Sequence, residues 1–138
     1  MILKTRHRLD TREVTEYEAW EILDWLLESF RRHGIDEVVL IYGYDWDLGE
    51  KTWKDQTVKV DDVRTHIKAA ESKELGAFGF DDVYLKVRES VQIQFCHHEE
   101  LHLHYDEQDH PLTQELIAYF TETIGLKAQV FPVGGLPG

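Results

Sequence analysis

The stretch FCHHEELHLHYDEQDH, residues 95 to 110, holds five histidines and five carboxylates in sixteen residues, with no lysine or arginine. Imidazole and carboxylate are the donors that hold borderline divalent metals, and imidazole titrates near neutral pH. His102 and His104 lie two apart, so an extended chain puts both rings on one side, where they can share a transition metal. His98, Glu100 or Asp106 is within reach as a third donor, so the alternative, a transition-metal-binding protein or metal-dependent hydrolase, names His98, His102 and His104, with zinc or another divalent transition metal as cofactor. No CxxC or HExxH scaffold accompanies them. An exposed sheet face also carries histidine without a ligand, and the primary expectation is a protein without cofactor.

Two other chemistries are weaker. Cys96 beside His97 suggests a thiol nucleophile, but neighbouring residues of a strand project to opposite faces, so the pair meets only if a bulge rotates one of them. Cys96 reads more simply as a small filler at a strand end. The carboxylate pairs Asp61-Asp62, Asp81-Asp82 and Glu99-Glu100 suit acid-base catalysis. Each also has a plain explanation, a helix cap for the first and a strand entry for the second. No catalytic residue is therefore assigned, and the chain is read as a non-enzyme.

A second constellation is IYGYDWDLGEKTW, where Tyr42, Tyr44 and Trp46 share one strand phase and Asp45, Asp47 and Glu50 surround its end. Aromatic side chains give large contact area at small entropic cost, and ringed by acids they suit a cationic protein surface. The alternative is that Leu40, Tyr42 and Tyr44 lie under a helix, with Trp46, Asp47 and Trp53 exposed near the hairpin end.

These residues need elements to position them. Thr15 and Glu18 form a capping box, and Tyr17, Trp20, Leu23, Leu27 and Phe30 recur at helical spacing up to Gly34, which predicts a helix over 16–33. Two strands follow, about 37–46 and 52–60, joined as a hairpin through a polar turn containing Gly49. Asp61 or Asp62 caps a second helix ending near Gly76. VYLKV, VQIQFC and LHLHY alternate as three antiparallel strands, with a turn or bulge at 97–100. If Leu101, Leu103 and Tyr105 face the core, His102, His104 and Asp106 face water beside Tyr84, Lys86, Gln92 and Gln94. Pro111 opens a third helix, closed by Gly125, before a short strand at 128–131 and a Gly/Pro tail at 132–138. The expected fold is one α+β domain spanning 1–138: a mostly antiparallel sheet of five to six strands with three helices over one face and the other face wet.

Composition bounds the partner. With 138 residues, 42% hydrophobic and 16 aromatic side chains, the chain can bury one core. The basic segment 1–12 carries Lys4, Arg6, Arg8 and Arg12 against Asp10, a net of +3, so with a total of −12 the remaining residues carry −15. Such a field repels nucleic acid and anionic membrane and attracts cationic surfaces. No signal peptide or membrane span is legible, and one cysteine makes no internal disulfide, which together predict a cytoplasmic protein.

The run ELGAFGFDDVYLKV through VQIQFCHHEELHLHYDE resembles a pattern of small bacterial open reading frames, an FG-x-DD strand entry followed by a CH-x-E-x-hydrophobic-His strand. In size, acidity and layout the chain is similar to immunity proteins of polymorphic or contact-dependent toxin systems. That resemblance implies a cognate toxin, often a basic nuclease, neutralised by occlusion. The expected contact set is Tyr44, Asp45, Trp46, Asp47, Glu99, Glu100, His102, His104, Asp106 and Glu107, meeting a basic protein partner. A small homodimeric interaction subunit is the remaining alternative.

Overall fold

The computed structural model describes residues 4–127. It is an α+β fold, with a six-stranded antiparallel sheet in the order β1-β6-β5-β4-β2-β3. The strands are β1 (His7–Asp10), β2 (Glu37–Tyr42), β3 (Gln56–Lys59), β4 (Val83–Arg88), β5 (Val91–Phe95) and β6 (Leu101–Tyr105). Helices α1 (Glu16–Arg32), α2 (Val63–Ser72) and α3 (Pro111–Ala118) supply the apolar layer over the sheet, and α3 continues as a π-helical turn over Tyr119–Ile124. No helix of the described residues is long and apolar enough to cross a membrane.

The helices form where the sequence supplies both caps and stripes. Thr15 accepts from the Glu18 amide at 3.1 Å, while Glu18 Oε1 accepts from the Thr15 amide at 3.0 Å, satisfying two donors the first turn leaves free. Ala19, Leu23, Leu26 and Phe30 then bury one face of α1. At its end Gly34 takes the left-handed conformation, φ 75°, open to glycine at no steric cost. His110 caps α3 by accepting the Leu112 amide on Nδ1 at 3.1 Å. Asp62 precedes α2 but makes no side-chain cap bond, so the expected cap there is absent.

Register divides the sheet into two chemistries. Leu85 pairs with Leu40 and Ile93, and Ile93 with Leu103, which in turn faces Leu9. This row lies in the core with α1 and α3. The neighbouring row, one residue along each strand, must face the other way.

Two segments differ from expectation. β2 stops at Tyr42 and β3 begins at Gln56, so 43–55 is a long irregular connection. β1 forms within the segment read only as a basic extension and pairs with β6. The expected strand at 128–131 and the tail lie outside the described residues.

Candidate functional site

On the outward face the pairings set polar residues in two rows. One runs Arg8, His104, Gln92, Lys86 and the other Asp10, His102, Gln94, Tyr84. This is the face the alternation in β4, β5 and β6 predicts, but it is drier than expected. Gln92 is 0% and His102 6% exposed, because long side chains on adjacent strands shield one another in register. Burial pushes the His104 pKa down to about 4, with the charges of His102 and Arg8 adding to the effect, so its ring is neutral at physiological pH.

A third row follows from the turn between β5 and β6. Phe95 faces Leu101 in the core, and beyond them the Cys96 amide donates to the Glu100 carbonyl at 2.8 Å. Cys96 and Glu100 are thus cross-strand neighbours on the outward face, with Asp82 beside them at the start of β4. Glu99, at φ 65°, closes the turn. Cys96 is buried at the end of β5 and lies outside the hydrophobic core cluster.

Around the thiol the contacts are close. His97 Nδ1 lies 4.0 Å from Cys96 Sγ and 2.9 Å from Asp82 Oδ1, so the turn rotates His97 to the face that strand alternation would deny it. His102 Nδ1 donates to Asp10 Oδ1, and Arg8 grips the same carboxylate through Nε at 2.8 Å and a second nitrogen at 2.9 Å. Although burial opposes it, these bonds hold the Asp10 carboxyl below its ordinary value. His102 Nε2 sits 4.0 Å from Glu100 Oε1. Burial pushes the Cys96 thiol up, Asp82 and Glu100 push it further, and the His98 amide only partly offsets them. The thiol is therefore not activated as a nucleophile at neutral pH.

Among the described residues, donor atoms converge within 4.8 Å in two sets, Asp82/Cys96/His97 and Cys96/Glu100/His102, sharing the sulfur. The set read from sequence does not converge. His98 is exposed at the turn, and the rings of His102 and His104 stand 6.2 Å apart.

The aromatic and acidic residues gather at the same end of the sheet, since the end of β2, the start of β4, the end of β5 and the start of β6 coincide. Tyr44 is 53% exposed and meets the His97 ring at 4.8 Å between centroids, tilted by 39°, which removes it from the helix-covered position the alternative gave it. Trp53 and Phe80 are also exposed. Trp53 lies directly on Gly43, where an added Cβ would meet its ring at 2.8 Å. Asp45 and Asp47 are exposed, and burial together with the charges of Asp45 and Asp82 pushes the Asp81 carboxyl up. Among the described residues no lysine or arginine forms an ion pair with Asp45, Asp47, Asp81, Asp82 or Glu99.

The expected contact set is thus split. Trp46 is 4% exposed and packs on Tyr42 at 4.7 Å, so it is core. Glu100 and His102 are buried in the thiol cluster. Asp106 and Glu107 occupy the far end of β6, roughly 20 Å away at about 3.3 Å per strand residue. There Asp106 accepts the Arg6 amide at 2.7 Å and Glu107 lies 3.6 Å from Arg88. Sequence reading left out Phe80 and took Asp81 and Asp82 as a strand entry without placing them on this surface; the signal was present as the apolar and acidic run GFDD before β4. Comparison with protein-family models, curated proteins and solved structures finds no match to this chain.

Proposed function

We propose that the chain is an acidic protein-binding module that docks a basic protein on the sheet end carrying Tyr44, Asp45, Phe80, Asp81, His97 and Glu99, with Trp53 at its edge. The observation that carries this is the exposed aromatic group set among carboxylates that no lysine or arginine of the described residues neutralises. Aromatic anchors supply desolvated contact area, while unpaired acids steer a cationic partner and speed association. Backbone strain concentrates at the same place: Asp45, Trp53 and Glu99 all have positive φ, at 69°, 65° and 65°. A bulky residue such as tryptophan keeps that conformation only where its surroundings enforce it.

The resemblance read from the sequence suggests the partner class. An immunity-type inhibitor occludes a basic toxin domain and performs no chemistry itself, and a surface of exposed acids and aromatics suits that task. The test is co-purification with the product of the neighbouring gene, then association kinetics across ionic strength. The expected outcome is an association rate that falls with salt. Tyr44→Ala should weaken binding about tenfold through faster release, and Asp45→Lys should slow association. Binding indifferent to salt and to both substitutions would refute the proposal.

A further inference from the structure

The cluster around Cys96 lies behind the docking surface and is not needed by it. Its composition is unusual for a protein interior: a thiol, a carboxylate and an imidazole converge within 4.8 Å. The Glu100 side chain is only 7% exposed. Its Oε2 has no hydrogen bond of acceptable geometry, and the cation near it, Lys127 Nζ at 3.4 Å, belongs to a side chain that is 60% exposed. A buried carboxylate whose nearest cation is a largely exposed ammonium is a costly arrangement.

The imidazole is oriented for a ligand. Asp10 holds His102 through Nδ1, which fixes the ring and leaves Nε2 directed to the Glu100 side, 4.0 Å from Oε1. A carboxylate behind a histidine in this way is the usual support of a metal-bound imidazole, setting both its orientation and its basicity. Asp10 is itself clamped by two nitrogens of Arg8.

We infer that Cys96 Sγ, His102 Nε2 and Glu100 form a three-ligand site for a soft divalent transition metal of the zinc class, with Asp10 as the positioning residue for His102. A tetrahedral zinc with bonds of about 2.0 to 2.3 Å places its ligands roughly 3.3 to 3.8 Å apart. Donors already within 4.8 Å are at most roughly 1 to 1.5 Å from that spacing. Thiolate and carboxylate together cancel the charge of a divalent ion, so the loaded site is neutral, and thiolate with imidazole selects zinc over magnesium or calcium. Binding releases the thiol proton to solvent, and Lys127 turns outward as the metal takes its place beside Glu100. His97 and Asp82 are bonded to each other, which leaves the fourth position to water.

The test uses the full chain, purified without a histidine tag and stripped with chelator. Cobalt(II) titration should give one equivalent with a thiolate-to-cobalt charge-transfer band, displaced by zinc. Cys96→Ser should abolish the band and weaken zinc binding at least about tenfold, and Asp10→Asn should weaken it about 10- to 100-fold with unchanged stoichiometry. His98→Ala and His104→Ala should keep wild-type affinity. Zinc in excess should raise the melting temperature, reversibly with chelator. If Cys96→Ser does not fold, Glu100→Gln replaces it, with the same expected loss of affinity. Absence of the charge-transfer band from the wild-type chain would overturn the assignment. So would zinc affinity that survives Cys96→Ser but is lost in His98→Ala or His104→Ala.

Discussion

Trp46 decides how the acidic end of the sheet is built, and Gly76→Ala tests its place. A Cβ at Gly76 would lie 2.3, 2.5 and 2.9 Å from Cε3, Cδ2 and Cζ3 of the Trp46 indole, where ordinary carbon contacts begin near 3.5 Å. The ring would have to retreat by about an ångström, yet Tyr42 is already packed against it at 4.7 Å between centroids. Overpacking of a filled core costs about 1 to 3 kcal/mol. Removing a glycine from the unfolded chain returns about 0.4 to 1 kcal/mol. The expected net loss is therefore about 1 to 2 kcal/mol, a fall in melting temperature of roughly 4 to 8 °C for a domain of this size. Urea denaturation followed by far-ultraviolet circular dichroism measures it. The same substitution in a Trp46→Leu background, where those ring atoms are gone, should cost much less, giving a coupling energy of about 1 kcal/mol or more. A Gly76→Ala protein as stable as the wild type would refute the buried placement of Trp46 and return it to the contact surface.

Further perturbations probe two other polar contacts. Tyr42 donates its hydroxyl to His66 Nδ1 at 2.7 Å, and burial, with the charge of Lys51, holds the His66 pKa below its ordinary value. The unfolded chain therefore takes up the proton first, so this contribution is complete above about pH 6.5 and declines as pH falls toward the lowered folded value. His66→Gln, which keeps an acceptor, should flatten the urea midpoint between about pH 5 and 7. Glu115 joins α3 to α1 by accepting from Ser29 Oγ and from Arg32 at 2.8 Å, and despite burial these bonds hold its carboxyl low. Its contribution is present above the unfolded carboxylate value and is lost as pH drops through the folded one, so Glu115→Gln should shallow the acid limb of the stability profile. Ser29→Ala should cost about 1 kcal/mol at pH 7 by urea denaturation.

What the sequence made legible was set locally. The Thr15/Glu18 box and the α1 stripe need only neighbours within one or two turns, and the alternation in β4, β5 and β6 follows from pleat geometry and a dry core. Trp46 was misplaced because counting by twos from Tyr42 assumes an extended chain, whereas β2 ends there and Asp45 takes φ 69°. Past that turn Trp46 folds back into the core while Tyr44 remains outside. β1 was missed because HRLD offers one apolar residue, Leu9, and its strand conformation rests on pairing with β6, almost a hundred residues away. No local propensity encodes such a partner.

The thiol cluster was illegible for a related reason: it is made by register and not by a motif. Once Phe95 and Leu101 are buried opposite one another, Cys96 and Glu100 must share the outward face, and His102 must lie one row behind Glu100 on it. β1 then brings Asp10 beside His102, and β4 brings Asp82 beside Cys96. Four chain segments thus contribute five polar groups, two of them from β6 and its approach, and hydrophobic parity in the opposite layer fixes where they point. A one-residue slip of β6 against β5 would turn His102 and His104 into the core and Leu103 out to water. The apolar layer therefore protects the polar arrangement more strongly than the polar contacts could themselves, and stability and site geometry are set by the same register.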